Sequence, residues 1–187
     1  FPIEVLTKVQ HVVAEKEASH FIIGYRFSPE EIEEPGIRFE DTMFLLNTLA
    51  EYEPDYFHIS ANSYQRTSIV NQEDTEPLIN KYIKMQSAQL AKIPLIGVGS
   101  IAQRQDAEHA LELGYDLLSV GKAYLVEPQW TDKISQNEEV EQFVDIHDQK
   151  VLHIPSPLWK VMDFMILDKE EEHRKYCLLY TSDAADD

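Results

Sequence analysis

Short apolar runs alternate along the chain with longer stretches in which apolar side chains recur every three or four residues. The short runs are rich in β-branched and aromatic residues and predict strands, and the periodic stretches predict amphipathic helices. The predicted strands cover residues 20–27, 55–60, 93–98 and 117–120, and the predicted helices cover 2–18, 40–52, 75–90 and 104–113. This alternation predicts an α/β fold with a parallel sheet and right-handed crossovers.

Two of the predicted strands end in a glycine that is followed by a polar or basic residue, Gly99-Ser100 and Gly121-Lys122. Glycine lets a backbone approach a ligand closely, and exposed N–H groups at the start of a helix attract an anion. In an α/β barrel, the loops after the last two strands commonly bind a phosphate group. The pair of turns therefore predicts a phosphate site, and the alternative is two ordinary strand-ending turns.

Other candidate ligand contacts lie at or near the ends of the first two predicted strands. Arg26 is near the end of the first strand, where it either binds a ligand or forms a surface ion pair with Glu30 or Glu31. His58 lies between two apolar residues of the second strand, so it is either a ligand contact or a hydrogen-bonded structural histidine. The loop that follows adds candidates that contact or cover the site: Ser60, Asn62, Tyr64 and Arg66.

Composition narrows the class of protein. The 187 residues suffice for one core, and 43% hydrophobic content is ordinary for a globular protein. A net charge of -18 without a basic cluster argues against nucleic acid as a partner. No apolar run is long enough to cross a bilayer and no secretion leader is visible, so no membrane partner is expected. The single cysteine, Cys177, excludes an internal disulfide and a multi-cysteine metal site, which favours a cytoplasmic protein without a bound metal.

The pattern loses its regularity after residue 128. Residues 136–176 form a predicted C-terminal extension, in which the apolar side chains of 151–166 cover the sheet or bind a partner. The acidic run at 30–34 is interpreted as a solvated face. Residues 177–187 match nothing before them and resemble a translated sequencing adapter, so we interpret them as a non-native tail.

Five segments together resemble the C-terminal half of the old yellow enzyme family, the FMN-dependent ene-reductases. The match extends from Phe1 to about Lys133. The segments are Phe1-Pro-Ile-Glu-Val5, Gly24-Tyr-Arg-Phe-Ser28, Asp55-Tyr-Phe-His-Ile-Ser60, Ile93-Pro-Leu-Ile-Gly-Val-Gly-Ser100 and Val120-Gly-Lys-Ala-Tyr-Leu-Val-Glu-Pro128. Each segment alone is weakly specific, and their shared order and spacing carry the resemblance.

The resemblance implies half of an eight-stranded TIM barrel in residues 1–135, with strands five to eight and their helices, and FMN as the cofactor. Arg26 matches the arginine that contacts the flavin ring near N1 and O2. The two glycine turns, including Ser100 and Lys122, match the backbone that receives the FMN phosphate. The family usually has arginine at the position of Lys122, and lysine keeps the charge but loses the bidentate fork.

The reaction implied by the resemblance carries a hydride from NADH or NADPH, through FMN, to the β-carbon of an activated alkene. A small molecule is thus the expected partner. The family's substrate-binding and proton-donating residues lie in its N-terminal half, so we expect no catalytic residue here and predict that the chain is truncated. Two alternatives stay open. One is another FMN barrel of the dihydroorotate or dihydrouridine type, and the other is an inactive fragment that aggregates or self-associates as a homo-oligomer.

Overall fold

A computed structural model gives the fold of the chain and describes residues 1–142, 149, 152 and 154–159. Four strands, β1 to β4, cover Gly24–Phe27, Tyr56–Ile59, Leu95–Val98 and Leu117–Ser119. The helices of this part of the chain, α1 to α7, cover Pro2–Glu15, Phe39–Ala50, Leu78–Met85, Arg104–Leu113, Lys122–Val126, Trp130–Ser135 and Ser156–Trp159. A short 3-10 helix at Leu90–Lys92 precedes β3. Cys177, most of the predicted extension and the whole predicted tail lie outside the described residues.

The four strands form one parallel sheet in the order β1-β2-β3-β4. The prediction of a parallel α/β sheet is therefore confirmed, and strands that follow one another along the chain are neighbours in space. The carboxyl ends of parallel strands lie along one edge of a sheet, which is where ligands of such folds bind. We call this the carboxyl edge.

The two faces of the sheet differ in burial. Phe57, Leu95 and Ile59 lie on one face and are at most 5% exposed. The register places Arg26 beside His58 on the opposite face, which we call the open face because none of its strand residues is buried. Side chains alternate between faces along a strand, so the same short strands send apolar groups to the core and both polar and apolar groups to the open face. The residues of the open face are Gly24, Arg26, Tyr56, His58, Ile96, Val98, Leu117 and Ser119.

The helices complete the core at the spacing that the sequence pattern predicts. In α2, Met43, Leu46 and Leu49 recur every three residues and are no more than 1% exposed. In α3, Leu78 and Ile79 are each 1% exposed. None of the helices in the described part of the chain is long and apolar enough to cross a membrane.

The described chain divides into two compact units. The first consists of residues 1–100 and 108–119 and contains the whole sheet. The second consists of residues 101–107 and the described residues from 120 onward, and Val126 and Ile154 form its small buried cluster. Helix α4 contributes residues to both units.

The predicted helix at 75–90 is shorter in the structure, where α3 covers only Leu78–Met85. Pro77 precedes the helix, and its ring disfavours a helical conformation of Glu76. The carboxylate of Asp74 instead accepts the N–H of Glu76 at 3.1 Å and pairs with Lys81. Helix α5 was not expected from the pattern, because its five residues are too few to show a helical period.

Asp55 and Asp116 make the same pair of backbone hydrogen bonds, one before β2 and the other before β4. The N–H of Asp55 donates to the carbonyl of Ile23 at 2.8 Å, and its Oδ2 accepts the N–H of Ile23 at 2.6 Å. Asp116 repeats this arrangement with Leu95, at 3.0 Å and 2.8 Å. Each carboxylate therefore holds the start of one strand against the neighbouring strand.

Replacing Asp116 with alanine is expected to lower the free energy of unfolding by about 1 kcal/mol, because the N–H of Leu95 loses its side-chain acceptor. The Asp116→Asn variant keeps an acceptor oxygen at this position and is the matched control, with a smaller expected loss. Urea unfolding followed by circular dichroism measures both variants. Equal stability of the alanine variant and the unaltered protein would contradict the role assigned to this hydrogen bond.

Candidate functional site

Arg26 lies on the open face near the end of β1, beside His58 of β2. Its Nη2 donates a hydrogen bond of 2.7 Å to the hydroxyl of Ser60, the residue that directly follows β2. Within the described residues Arg26 forms no ion pair with Glu30 or Glu31. The ion-pair alternative thus finds no support, and the exposed guanidinium is held at the carboxyl edge by Ser60.

The Nε2 atom of His58 is buried and has no hydrogen-bond partner among the described residues. Burial lowers the pKa of this imidazole, and the positive charge of Arg26 lowers it further. The ring is therefore neutral at neutral pH, with one nitrogen able to accept a hydrogen bond. The hydrogen bond that a purely structural histidine requires is missing at this nitrogen. An unpartnered polar atom beside a fixed cation fits contact with a ligand.

The turn at Gly99-Ser100 follows β3 and is crossed by residues 61–64, which we call the covering segment. The N–H of Tyr64 donates to the carbonyl of Gly99 at 3.0 Å. The Ser100 hydroxyl donates to the carbonyl of Asn62, also at 3.0 Å. Two hydrogen bonds therefore fix the covering segment to this turn and occupy the hydroxyl of Ser100.

The close approach of the covering segment explains why residue 99 is glycine. A Cβ atom at Gly99 would lie 2.5 Å from the carbonyl carbon of Asn62 and 2.5 Å from the nitrogen of Ser63. The φ angle of Gly99 is +98°, a region that other residues rarely adopt. Packing against the covering segment thus explains why residue 99 is glycine without any ligand. The phosphate-binding role of Gly99 and Ser100 stays a prediction.

Gly121 and Lys122 belong to the second unit, where Gly121 is the N-cap of α5 and Lys122 is its first residue. A Cβ atom at Gly121 would meet no atom within 4 Å, and its φ of -115° suits any residue. Packing of the described chain does not require this glycine, and the space beside it is open. Burial lowers the pKa of Lys122, and a partly desolvated ammonium is stabilised by a nearby anion.

The sequence groups Glu30 with a solvated acidic run, and the structure corrects this interpretation. Glu30 is only 7% exposed. Its Oε1 accepts the hydroxyl of Ser68 at 2.9 Å, and its Oε2 accepts the N–H of Ile69 at 2.9 Å. These partners lie 38 and 39 positions later in the chain, so no local feature distinguishes Glu30 from the exposed acidic residues that follow it.

The remaining candidates of the loop after β2 have different surroundings. Arg66 is partly buried, and its Nε has no hydrogen-bond partner within the described chain. Burial lowers the pKa of Arg66, and the charge of Glu30 opposes that shift. Asn62 is exposed and contributes its backbone carbonyl to the turn after β3. The structure thus brings Arg26, His58 and Ser60 together at the carboxyl edge, whereas the charge of Arg66 interacts with Glu30.

The model of one protein family matches residues 1–141 of the chain, and that family is described as the NADH:flavin oxidoreductase / NADH oxidase family. Three curated relatives agree with this match. The NADH:acrylate oxidoreductase of Vibrio harveyi is 58% identical over 176 residues, and the NADH:fumarate oxidoreductase of Klebsiella pneumoniae (strain 342) is 46% identical over 179 residues. The probable NADH-dependent flavin oxidoreductase YqiG of Bacillus subtilis (strain 168) is 34% identical over 167 residues.

These alignments include most of this chain but only part of each relative. They cover 94%, 94% and 87% of the chain, in the same order. The shares of the relatives are 18% for the acrylate enzyme, 19% for the fumarate enzyme and 43% for YqiG. The chain therefore spans less than half the length of each of these relatives.

Proposed function

The chain belongs to the NADH:flavin oxidoreductase / NADH oxidase family, and we propose that it forms the flavin-binding part of an NADH-dependent reductase of activated alkenes. One observation carries this proposal. Arg26 is fixed by Ser60 on the open face of a parallel sheet, beside a buried His58 nitrogen that has no partner in the described chain. A cation and an unsatisfied polar atom at the carboxyl edge suit a polar, electron-accepting ring.

The residues present fit FMN. Arg26 would contact the pyrimidine part of the flavin, with His58 and Ser60 beside it on β2. Gly99, Ser100, Gly121 and Lys122 are proposed to hold the phosphate, and the open space at Gly121 supports that assignment. FMN supplies hydride acceptance from NADH and hydride delivery to the alkene when it is bound. Arg26 would hold a fixed positive charge beside the region of the ring where negative charge accumulates.

We propose that four further strands complete an eight-stranded barrel around residues 1–135. Within the described structure, β1 and β4 each pair with only one neighbour, and unpaired strand edges are unfavourable in a soluble protein. Leu117 on the open face of β4 is 53% exposed, as expected of a side chain whose neighbours belong to another part of the barrel. The extension at 136–176 and the non-native tail at 177–187 stay predictions.

The names of two relatives point to the class of substrate. Acrylate and fumarate both carry a carbon–carbon double bond conjugated to a carboxylate, and they are named for the Vibrio harveyi and Klebsiella pneumoniae proteins. We propose an unsaturated carboxylate of this kind as the electron acceptor. The net charge of -18 disfavours an anion at long range, so binding of such a carboxylate depends on cations close to the site. The family match favours this reaction over dihydroorotate or dihydrouridine chemistry.

Anaerobic NADH consumption by the intact flavoprotein that contains this chain tests the proposal. Acrylate and fumarate are expected to accelerate NADH oxidation, whereas their saturated counterparts, propionate and succinate, are expected to leave it unchanged because they offer no acceptor double bond. The purified protein is expected to release FMN on denaturation. A protein that holds no FMN, or whose NADH oxidation responds to no activated alkene, would exclude the proposed function.

A further inference from the structure

The loop that follows β2, residues 60–71, is held at its start by the last residues of β1. The N–H of Ser60 donates to the carbonyl of Phe27 at 2.7 Å, and the hydroxyl of Ser60 accepts Nη2 of Arg26 at 2.7 Å. We call residues 60–71 the β2 loop. Its first residue therefore determines where the guanidinium of Arg26 is held.

The far end of the β2 loop is held by Glu30, which lies only three positions after β1. The carboxylate accepts one hydrogen bond from the Ser68 hydroxyl and one from the N–H of Ile69, both at 2.9 Å. The Ser68 oxygen in turn accepts the N–H groups of Val70 and Asn71, at 3.2 Å and 3.0 Å. One buried carboxylate thus organises four consecutive residues of the loop, 68–71.

The middle of the β2 loop connects these two anchored ends. The N–H of Arg66 donates to the carbonyl of Ser63 at 3.1 Å, and the carbonyl of Arg66 accepts the N–H of Leu78 at 2.8 Å. The covering segment, residues 61–64, directly follows Ser60 and lies against the turn at Gly99. Residues 61–67 therefore connect the end held by Glu30 with Ser60, and the Arg66–Ser63 hydrogen bond lies on that path.

We propose that Glu30 is a positioning residue of the flavin site, which fixes the β2 loop and through it the Ser60 hydroxyl that aligns Arg26. This inference rests on the proposed function, because it assigns Arg26 to the flavin. Glu30 itself touches none of the reacting atoms.

The burial of Glu30 argues that it does more than stabilise the loop. Transfer of a carboxylate out of water is unfavourable, and apolar residues of similar volume often stabilise a fold at least as well as a buried charge. Arg66 is a nearby cation whose charge interacts with Glu30, but no ion pair between the two is formed in the described chain, so the hydrogen bonds are the direct contacts of the carboxylate. The carboxylate, unlike an apolar side chain, has two acceptor oxygens, and these fix the positions of the Ser68 hydroxyl and the Ile69 N–H.

Three variants of the intact flavoprotein test this role. Glu30→Ala removes both acceptors, Glu30→Gln keeps the shape but loses the charge, and Ser68→Ala removes one donor while leaving the carboxylate. Glu33→Ala is the matched control, because Glu33 belongs to the same acidic run but is exposed. The readouts are the Kd for FMN, the visible spectrum and midpoint potential of the bound flavin, and hydrogen exchange of the β2 loop in the flavin-free protein.

Glu30→Ala is expected to weaken FMN binding about tenfold, the size of one lost hydrogen bond to a charged group. It should also lower the midpoint potential, since a less well-aligned Arg26 stabilises the reduced flavin less. Glu30→Gln and Ser68→Ala are expected to weaken FMN binding and lower the potential to a smaller extent. Hydrogen exchange in the β2 loop is expected to be faster in both than in the unaltered protein. Glu33→Ala is expected to match the unaltered protein in every readout.

Two results would overturn this inference. If Glu30→Gln and Ser68→Ala lower the melting temperature but leave the spectrum, the potential and the Kd unchanged, Glu30 stabilises the loop without positioning the site. Because these two variants keep most of the side-chain volume, they decide the question even when Glu30→Ala does not fold. Absence of FMN from the unaltered protein would instead overturn the proposed function, and this inference with it.

Discussion

Replacing Arg26 with alanine is expected to slow the reduction of bound FMN by NADH about 10²-fold, the usual effect of removing one preorganised electrostatic group. The guanidinium lies on the open face and is oriented by a 2.7 Å hydrogen bond to Ser60. Negative charge accumulates on the flavin as it is reduced, and a cation already in place stabilises that charge without reorganisation. Anaerobic stopped-flow absorbance of the intact flavoprotein, mixed with NADH, measures the rate.

Two further variants separate the charge of Arg26 from its alignment. Arg26→Lys keeps the charge but loses the planar fork, so an intermediate rate is expected. Ser60→Ala keeps the guanidinium but removes the hydroxyl that orients it, and a loss of about tenfold or less is expected. If Arg26→Ala retains FMN and is reduced at the rate of the unaltered protein, Arg26 does not contact the flavin and the assignment of the site is wrong.

Replacing Gly99 with alanine is expected to lower the free energy of unfolding by about 3 kcal/mol or more, through backbone strain and overpacking together. The new Cβ would lie 2.5 Å from two backbone atoms of the covering segment, and the φ angle of +98° is unfavourable for any L side chain. Because both colliding groups are backbone, no rotamer change relieves the contact. Such a loss is a large fraction of the stability of a typical domain, and urea or thermal unfolding measures it.

Gly121→Ala is the matched control, because it makes the same chemical change at the other turn of the predicted phosphate site. No atom lies within 4 Å of the added Cβ, so the only expected loss of stability is about 1 kcal/mol or less, from a poorer N-cap residue. FMN binding is nevertheless expected to weaken about tenfold if the phosphate occupies this space. Undiminished FMN affinity in Gly121→Ala would exclude Gly121 from the phosphate site, and undiminished stability of Gly99→Ala would contradict the packing of the covering segment.

The contrast between these two glycines shows where sequence reasoning reaches its limit. Both end an apolar strand and precede a polar residue, so the sequence assigns them the same phosphate-binding role. In the structure, Gly99 is required by residues 61–63, which lie far from it along the chain, whereas Gly121 borders open space. The residues next to Gly99 in the sequence do not reveal a steric requirement that is imposed by backbone far away along the chain.

Glu30 and His58 show the same limit for polar groups. The acidic run at residues 30–34 predicts a solvated face. The carboxylate of Glu30 is nevertheless buried against a loop that begins thirty residues later. The sequence favours a hydrogen-bonded structural role for His58 over contact with a ligand. Only the packed strands show that its Nε2 has no hydrogen-bond partner among the described residues.

The sequence by itself determined the order and direction of the four strands, their apolar character, and the placement of Arg26, Ser60 and the two glycine turns at strand ends. These features follow from local periodicity and from the rule that alternating strands and helices form a parallel sheet. Only the tertiary structure decided that Arg26 bonds Ser60, that Glu30 is buried and that Gly99 lies beneath a covering segment. Each of these depends on contacts between residues more than thirty positions apart, whose geometry is set by packing rather than by neighbouring residues.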